Sequence, residues 1–241
     1  MHTASTGLIG KGLYSFAEAG KLLRVPPRNL RRWTMGYTYS WHGEELASNP
    51  IIKLELPLRE GHEAIVSFVN LMELKFVSMF RSKHVSTHVI RAALERARRL
   101  WKSEHPFCME RFRTDGKGIF GELEDRKNWP GGISGNVPME ELNRAQLVFS
   151  PMVEPFFLEL DWDGRLANRY WPLGKHGRIV LDPRRSFGQP IDSQTGVPTF
   201  TLYQAFQGGE SRKGIADWYD VPLAAVAKSI EYEESLLRKA A

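Results

Sequence analysis

The sequence predicts an α+β chain, mainly α. It would have an N-terminal winged helix-turn-helix, a small hairpin-rich middle region and a C-terminal helix-turn-helix. Three observations carry that prediction. Residues 14–33 hold two short amphipathic segments joined by a tight turn, and the second is rich in arginine. Residues 35–57 alternate aromatic and polar side chains with a period of two. Residues 178–239 pass from a β-rich apolar run through a loop punctuated by glycine and proline into helical segments. The expected units are 1–60 (helix-turn-helix with wing), 61–105 (basic helical connector), 106–177 (small α+β region) and 178–241 (C-terminal helix-turn-helix).

The first helix is announced by Ser15 with Glu18 three residues later, a capping box. Phe16, Ala19, Leu22 and Leu23 then share a face. Arg24 and Val25 make the turn, and Pro26-Pro27 opens a second helix, Arg28-Asn29-Leu30-Arg31-Arg32-Trp33. Leu30 and Trp33 lie three apart on one side. Arg28, Asn29, Arg31 and Arg32 point elsewhere, as on a helix that reads a DNA groove, where arginine suits guanine and asparagine adenine. The run from Tyr14 to Val25, followed by Arg28 to Trp33, resembles the MerR-type winged helix-turn-helix. The resemblance implies sequence-specific binding to double-stranded DNA.

Tyr37, Tyr39 and Trp41, then Gly43, Ile51, Lys53, Leu54 and Leu56, read as a hairpin or wing whose aromatics pack onto the first domain. Residues 63–82 form a helix with a stripe of Ile65, Phe68, Val69, Met72, Phe76 and Phe80. Ser86 or Thr87 caps the next helix, residues 88–102, whose polar face carries Arg91, Arg96, Arg98, Arg99 and Lys102 against the single acid Glu95.

Charge placement is more informative than the net charge of +5. Residues 75–102 carry eight Lys or Arg and one acid. Residues 103–177 carry nine against twelve, and residues 178–241 eight against eight. Nucleic-acid affinity comes largely from neutralised phosphates. The first hundred residues are therefore the expected DNA face, with contacts from Ser15, Pro27, Arg28, Asn29, Arg31, Arg32, Arg91 and Arg98. The neutral C-terminal unit suits dimerisation or partner binding.

In the middle region, residues 107–123 read as a hairpin turning at Asp115-Gly116, because Asp-Gly is a strong turn signal. Residues 125–137 read as a polar, glycine-rich loop, and 140–149 as a short helix ending at Pro151. Residues 156–160 and 165–171 read as a second hairpin.

Further on, Asp182-Pro183 stops the run Ile179–Leu181. Gly188, Pro190, Gly196 and Pro198 mark turns, Thr199 caps a helix, Ser211 caps another, and Pro222 opens a third. That third helix is expected to bury Leu223, Val226, Ala227, Ile230 and Leu237. The ordered series Asp182-Pro183, Phe187-Gly188-Gln189-Pro190, Thr195-Gly196-Val197-Pro198-Thr199, Gly209-Glu210-Ser211, Ile215-Ala216-Asp217-Trp218-Tyr219 and Val226-Ala227-Lys228-Ser229-Ile230-Glu231-Tyr232 resembles a family of VapB-like type II antitoxins. This likeness covers about the last sixty residues. It implies a homodimer that represses its own operator, and a partner toxin that is a PIN-like ribonuclease with an acidic metal site. Arg238 or Lys239 would pair with the toxin's carboxylates.

No enzyme constellation emerges. The seven histidines are scattered; His84 and His88 are four apart, but no Cys or Glu completes a zinc set. Asp161 and Asp163 lack a calcium loop's spacing and its terminal Glu. Cys108 is the lone cysteine, which fits a reducing compartment and a buried thiol. No apolar run nears the roughly 20 residues a membrane helix needs, and the N-terminal residues lack the apolar h-region expected of a signal peptide. A cytoplasmic, DNA-binding antitoxin without cofactor or metal is the expected protein. A stand-alone MerR-like regulator with an effector-binding middle domain is the alternative, and a nucleic-acid enzyme a more distant one.

Overall fold

The computed structural model describes residue 8 and residues 10–56, 63–123 and 139–238. The glycine-rich loop expected over 125–137 and the expected toxin-pairing residue Lys239 lie outside the described residues. The rest is a mixed α+β fold, mostly helical, with two small antiparallel sheets.

The N-terminal unit begins with α1 (Phe16–Leu23) and α2 (Pro27–Met35). Ser15 caps α1 as its spacing predicts: its hydroxyl accepts from the Glu18 N–H at 3.2 Å, and the Glu18 side chain returns to the Ser15 N–H at 2.8 Å. The helices close tightly at Gly20, where a Cβ would stand 2.8 Å from the Val25 carbonyl oxygen. Any larger residue there would force α1 and α2 apart. A hairpin follows, β1 (Tyr37–Trp41) and β2 (Glu44–Ser48), turning at His42 and Gly43, both at positive φ. Its second strand is shorter and earlier than the sequence suggests. Ile51 and Ile52 are not strand residues: they are buried, and their N–H groups donate to the Trp33 carbonyl at 2.7 and 2.9 Å, closing the end of α2. Tyr37 and Tyr39 do not pack onto the domain as expected; both are exposed, with rings 5.8 Å apart.

Next come α3 (Phe68–Ser82), capped by Ser67, and α4 (Thr87–Trp101), capped by Ser86. The expected helix from 63 starts only at Phe68, because residues 63–67 run extended and Val66 bridges Tyr14. The hairpin expected over 107–123 is absent. A one-turn 3-10 helix (Pro106–Cys108) and α5 (Arg111–Glu122) occupy that stretch. Gly116 is a packing glycine: a Cβ there would meet the Phe149 ring at 2.5 Å. Phe149 belongs to α6 (Met139–Leu158), which continues through Pro151 and Pro155 rather than stopping at the first. Phe156 and Phe157 are consequently helical, and the hairpin is shorter than predicted, β3 (Leu160–Asp163) with β4 (Leu166–Tyr170).

The sheet then crosses into the C-terminal region. β5 (Ile179–Leu181) pairs β4, and β6 (Pro190–Asp192) pairs β5, giving the order β3-β4-β5-β6. Arg178 and Asp192 clamp the β5–β6 edge through two bonds of 2.8 and 3.1 Å. Burial pushes the Asp192 carboxyl up, but the bonds from Arg178 and Thr195 outweigh it and hold it below the usual carboxylate range.

Three helices complete the chain: α7 (Thr199–Gln207), α8 (Arg212–Tyr219) and α9 (Leu223–Arg238). Ser211 caps α8 as expected, whereas Thr199 lies inside α7 after Pro198. In α9, Val226 and Ile230 are buried as predicted and Ala227 partly so. Leu223 and Leu237 are exposed, and Ala225, Tyr232 and Leu236 fill the core positions instead.

One hydrophobic core runs from Tyr14 through α3 to Tyr170 and Leu181. Phe76 lies at its centre, within 4.9–6.0 Å of the rings of Phe107, Phe112, Phe156 and Phe157. A polar network is sealed into the same core. Glu73 is fully buried; one carboxyl oxygen meets His105 Nδ1 at 3.1 Å and Asn70 Nδ2 at 3.3 Å, and the other has no partner among the described residues. Asn70 in turn holds the Lys53 carbonyl and the Glu55 N–H. Burial works against the His105 imidazolium, but the bond to Glu73 prevails and raises its pKa. A raised folded pKa gives stability that is complete below the unfolded value of about 6.5 and lost as pH rises through the folded one. Urea midpoints should therefore fall as pH climbs above about 6.5, and His105→Gln should flatten that slope. An unchanged slope in the variant would assign it to other groups.

Candidate nucleic-acid interface

The second helix of the N-terminal pair is amphipathic by construction. Leu30 and Thr34 face the core, and the Thr34 hydroxyl donates to the Leu30 carbonyl at 2.9 Å. Arg28, Arg31, Arg32 and Met35 face solvent. Proline at the first helical position suits the fixed φ and leaves no N–H to satisfy. No side chain caps α2 and no acid lies in its first turn. Pro26 and Pro27 carry no N–H and the Asn29 N–H donates to the Pro26 carbonyl at 2.8 Å, which leaves the Arg28 N–H as the first-turn donor at the positive end of the helix dipole.

The structure sorts the expected DNA-facing side chains into free and engaged groups. Among the described residues, the Arg28 and Asn29 side chains make no hydrogen bond or ion pair and are available to a ligand. Arg31 is exposed but shared: it reaches Glu63 at 3.1 Å and lies 5.2 Å from the Phe16 ring centre. Arg32 lies 4.9 Å from the Tyr37 ring centre, which links α2 to the exposed face of the hairpin. Pro27 is exposed at the helix start. The Ser15 hydroxyl is consumed by its own cap.

The basic helix α4 contributes less free charge than its sequence implies. Arg91 donates to the Asn49 carbonyl at 2.6 Å and to the Pro50 carbonyl at 3.4 Å, tying α4 to the exit of the hairpin. Arg98 is turned inward, bonded to Glu95 at 2.5 Å and to the Glu104 carbonyl at 3.1 Å. Its guanidinium is therefore engaged within the fold. Arg96 pairs Glu122 at 2.8 Å. Arg99 and Lys102 remain exposed at the helix end.

The opposite flank of α1 docks on the C-terminal unit. Lys21 pairs the buried Glu233 of α9 at 2.7 Å, and the Thr199 hydroxyl donates to the other Glu233 oxygen at 2.6 Å. The Tyr14 hydroxyl donates to the Gly188 carbonyl at 2.6 Å. Gly188 is at positive φ, and a Cβ there would collide with that hydroxyl. A largely apolar cavity of about 330 Å³ opens at this junction, lined by Ala17, Lys21, Leu22, Pro190, Phe200 and Leu236 among others. The alternative reading puts an effector site in the middle region; this junction lies elsewhere and joins residues more than 170 positions apart, which no local pattern encodes. At the C-terminal end, Arg238 pairs Glu234 at 2.9 Å one helical turn away. Among the described residues, no group of three or more His, Cys, Asp or Glu could hold a metal ion, and no helix is long and apolar enough to cross a membrane.

Known proteins bear on this geometry. Residues 12–94 match a family model described as "Putative DNA-binding HTH domain". The match embraces α1, α2, the hairpin, α3 and the first half of α4, so the chain has a helix-turn-helix domain at its N-terminus. The chain is 27% identical over 218 residues to "Putative antitoxin VapB45" of Mycobacterium tuberculosis, covering 87% of this chain and 88% of that protein. It is 24% identical over 234 residues to "Uncharacterized protein Rv2308" of the same organism, covering 94% and 92%. The crystal structure of Rv2018 from Mycobacterium tuberculosis superposes with a TM-score of 0.70 at 24% identity, over 92% of this chain and 99% of that one. The fold is thus that of a solved structure along nearly the whole chain.

Proposed function

We propose that this chain is a cytoplasmic type II antitoxin that binds operator DNA, represses its own operon and neutralises a PIN-like ribonuclease encoded beside it, with no catalysis of its own. The observation that carries the DNA half is the open start of α2, with Arg28 and Asn29 unengaged beside the uncapped helix end. The relative named as an antitoxin supports the other half. In this reading α2 enters the major groove, Arg28 and Asn29 meet base edges, and Arg32 with Tyr37 and Tyr39 of the hairpin forms a wing over the flanking backbone. A homodimer would present two such helices to a two-fold operator.

The test is a titration of DNA from immediately upstream of the chain's own gene, against a shuffled duplex, at several salt concentrations. Specific binding at least about a thousandfold tighter than to the shuffled duplex is the expected result. Equal affinity for the two would remove the operator. The second reading, a stand-alone regulator answering to a small effector, draws on the cavity between α1 and the C-terminal unit, because an occupant there would press on the helix that carries α2. The absence of a toxic neighbouring gene product would favour it.

A further inference from the structure

The cavity between α1 and the C-terminal unit is walled by residues far apart in the sequence. Leu22 of α1, Pro190 of β6, Phe200 of α7 and Leu236 of α9 give it an apolar lining. Its volume of about 330 Å³ lies at the small end of ligand sites. It would hold about ten groups the size of a water molecule. One charged pair interrupts the apolar wall. The Lys21 ammonium donates to Glu233 Oε2 at 2.7 Å and lies 5.3 Å from the Phe200 ring centre. The Glu233 side chain is 3% exposed, and its other oxygen accepts from the Thr199 hydroxyl at 2.6 Å. An ammonium has three N–H donors. Among the described residues, the Lys21 ammonium spends one of them, on Glu233. The Lys21 side chain is 32% exposed, so the other two are within reach of an occupant.

We propose that this cavity binds a neutral, largely apolar small molecule with one hydrogen-bond acceptor, a ketone or ester carbonyl, aimed at Lys21. The inference extends the effector reading above by naming the occupant, and it requires neither a toxin nor an operator. Leu22, Pro190, Phe200 and Leu236 favour an apolar body that leaves water on entry. Lys21 adds a charged donor, and a hydrogen bond to a charged group contributes more than one between neutral groups. A ligand anion is disfavoured, because Glu18 and Glu233 set two carboxylates in the lining against the single cation Lys21. A ligand cation would have to displace existing partners. Glu233 is held by Lys21 and Thr199, and the Glu18 carboxylate accepts from the Ser15 N–H and hydroxyl, each at 2.8 Å. The occupant touches α1 of the helix-turn-helix on one side and α7 and α9 on the other, and so joins the two units.

The experiment is isothermal titration of the full-length chain with naphthalene probes of matched shape: acetylnaphthalene, ethylnaphthalene, naphthoate and naphthylmethylammonium. Acetylnaphthalene should bind at one site with a dissociation constant on the order of 10–100 μM. It should bind at least about tenfold tighter than each of the others. Ala17→Trp fills the cavity from the exposed side of α1. It should keep the wild-type melting curve and lose acetylnaphthalene. The probe series on the wild-type chain tests the ligand class without any substitution. No binding by any probe would overturn the inference. So would full affinity in a folded Ala17→Trp chain, which would place the probe elsewhere. Tightest binding by the anion or the cation would overturn it as well, and equal binding of ethylnaphthalene would take Lys21 out of the site. A titration of upstream DNA with and without acetylnaphthalene separates the two readings. Unchanged DNA affinity with the probe bound would keep the site and remove the effector reading.

Discussion

Phe76→Ala is expected to cost about 3–5 kcal/mol of stability, the range for emptying a fully buried aromatic site. Phe76 is completely buried, and its ring is shared by the 3-10 helix at Phe107, by α5 at Phe112 and by α6 at Phe156 and Phe157. The loss has two parts. Transfer of the benzyl group from water is forfeited, and four rings are left facing a void that a close-packed interior fills only partly. Two of these ring pairs are edge-on, at 5.3 and 4.9 Å, a geometry that adds to the area term. Urea denaturation measures the effect through the midpoint. A loss under about 1 kcal/mol would mean that the core can close over the site, as at the mild end of core substitutions. It would contradict the view that α3 ties the N-terminal unit to the middle region.

The second large effect falls on binding. Arg28→Ala with Asn29→Ala should reduce affinity for the upstream DNA by about 1–3 kcal/mol for each base interaction removed. The two residues are adjacent, so their sum need not be additive. Neither side chain supports the fold, since neither has an intramolecular partner among the described residues. The melting temperature should therefore hold while operator affinity collapses toward that for shuffled DNA. Arg32→Ala makes a useful contrast: it removes the cation over Tyr37. Loss of a phosphate interaction at Arg32 would weaken binding to both duplexes and lower the salt slope by about one. Full operator affinity in the double variant would dismiss α2 as the reading helix.

Capping residues were the most dependable guide to the helices. Ser15, Ser86 and Ser211 each mark a helix start because a hydroxyl that meets a first-turn N–H acts locally. Glycine and proline were ambiguous wherever tertiary packing set their role. Asp115-Gly116 reads as a turn, yet Gly116 is what lets the Phe149 ring lie against α5. Pro151 reads as a stop, yet α6 passes through it and through Pro155. The candidate site divides the same way. The open face of α2 follows from helical spacing alone. The engagement of Arg91 by the Asn49 and Pro50 carbonyls joins residues 41 or 42 positions apart, which no local pattern encodes. Arg238 reads as a free cation along the chain, yet helical spacing brings it to Glu234 one turn away.

The most direct measurement is growth of cells that express the neighbouring reading frame alone or together with this chain. Arrest with the neighbour alone, degraded RNA in the arrested cells, and recovery of growth with a co-purifying complex when the full chain is supplied are the expected results. Normal growth with the neighbour alone, or arrest that this chain does not relieve, would contradict the antitoxin reading.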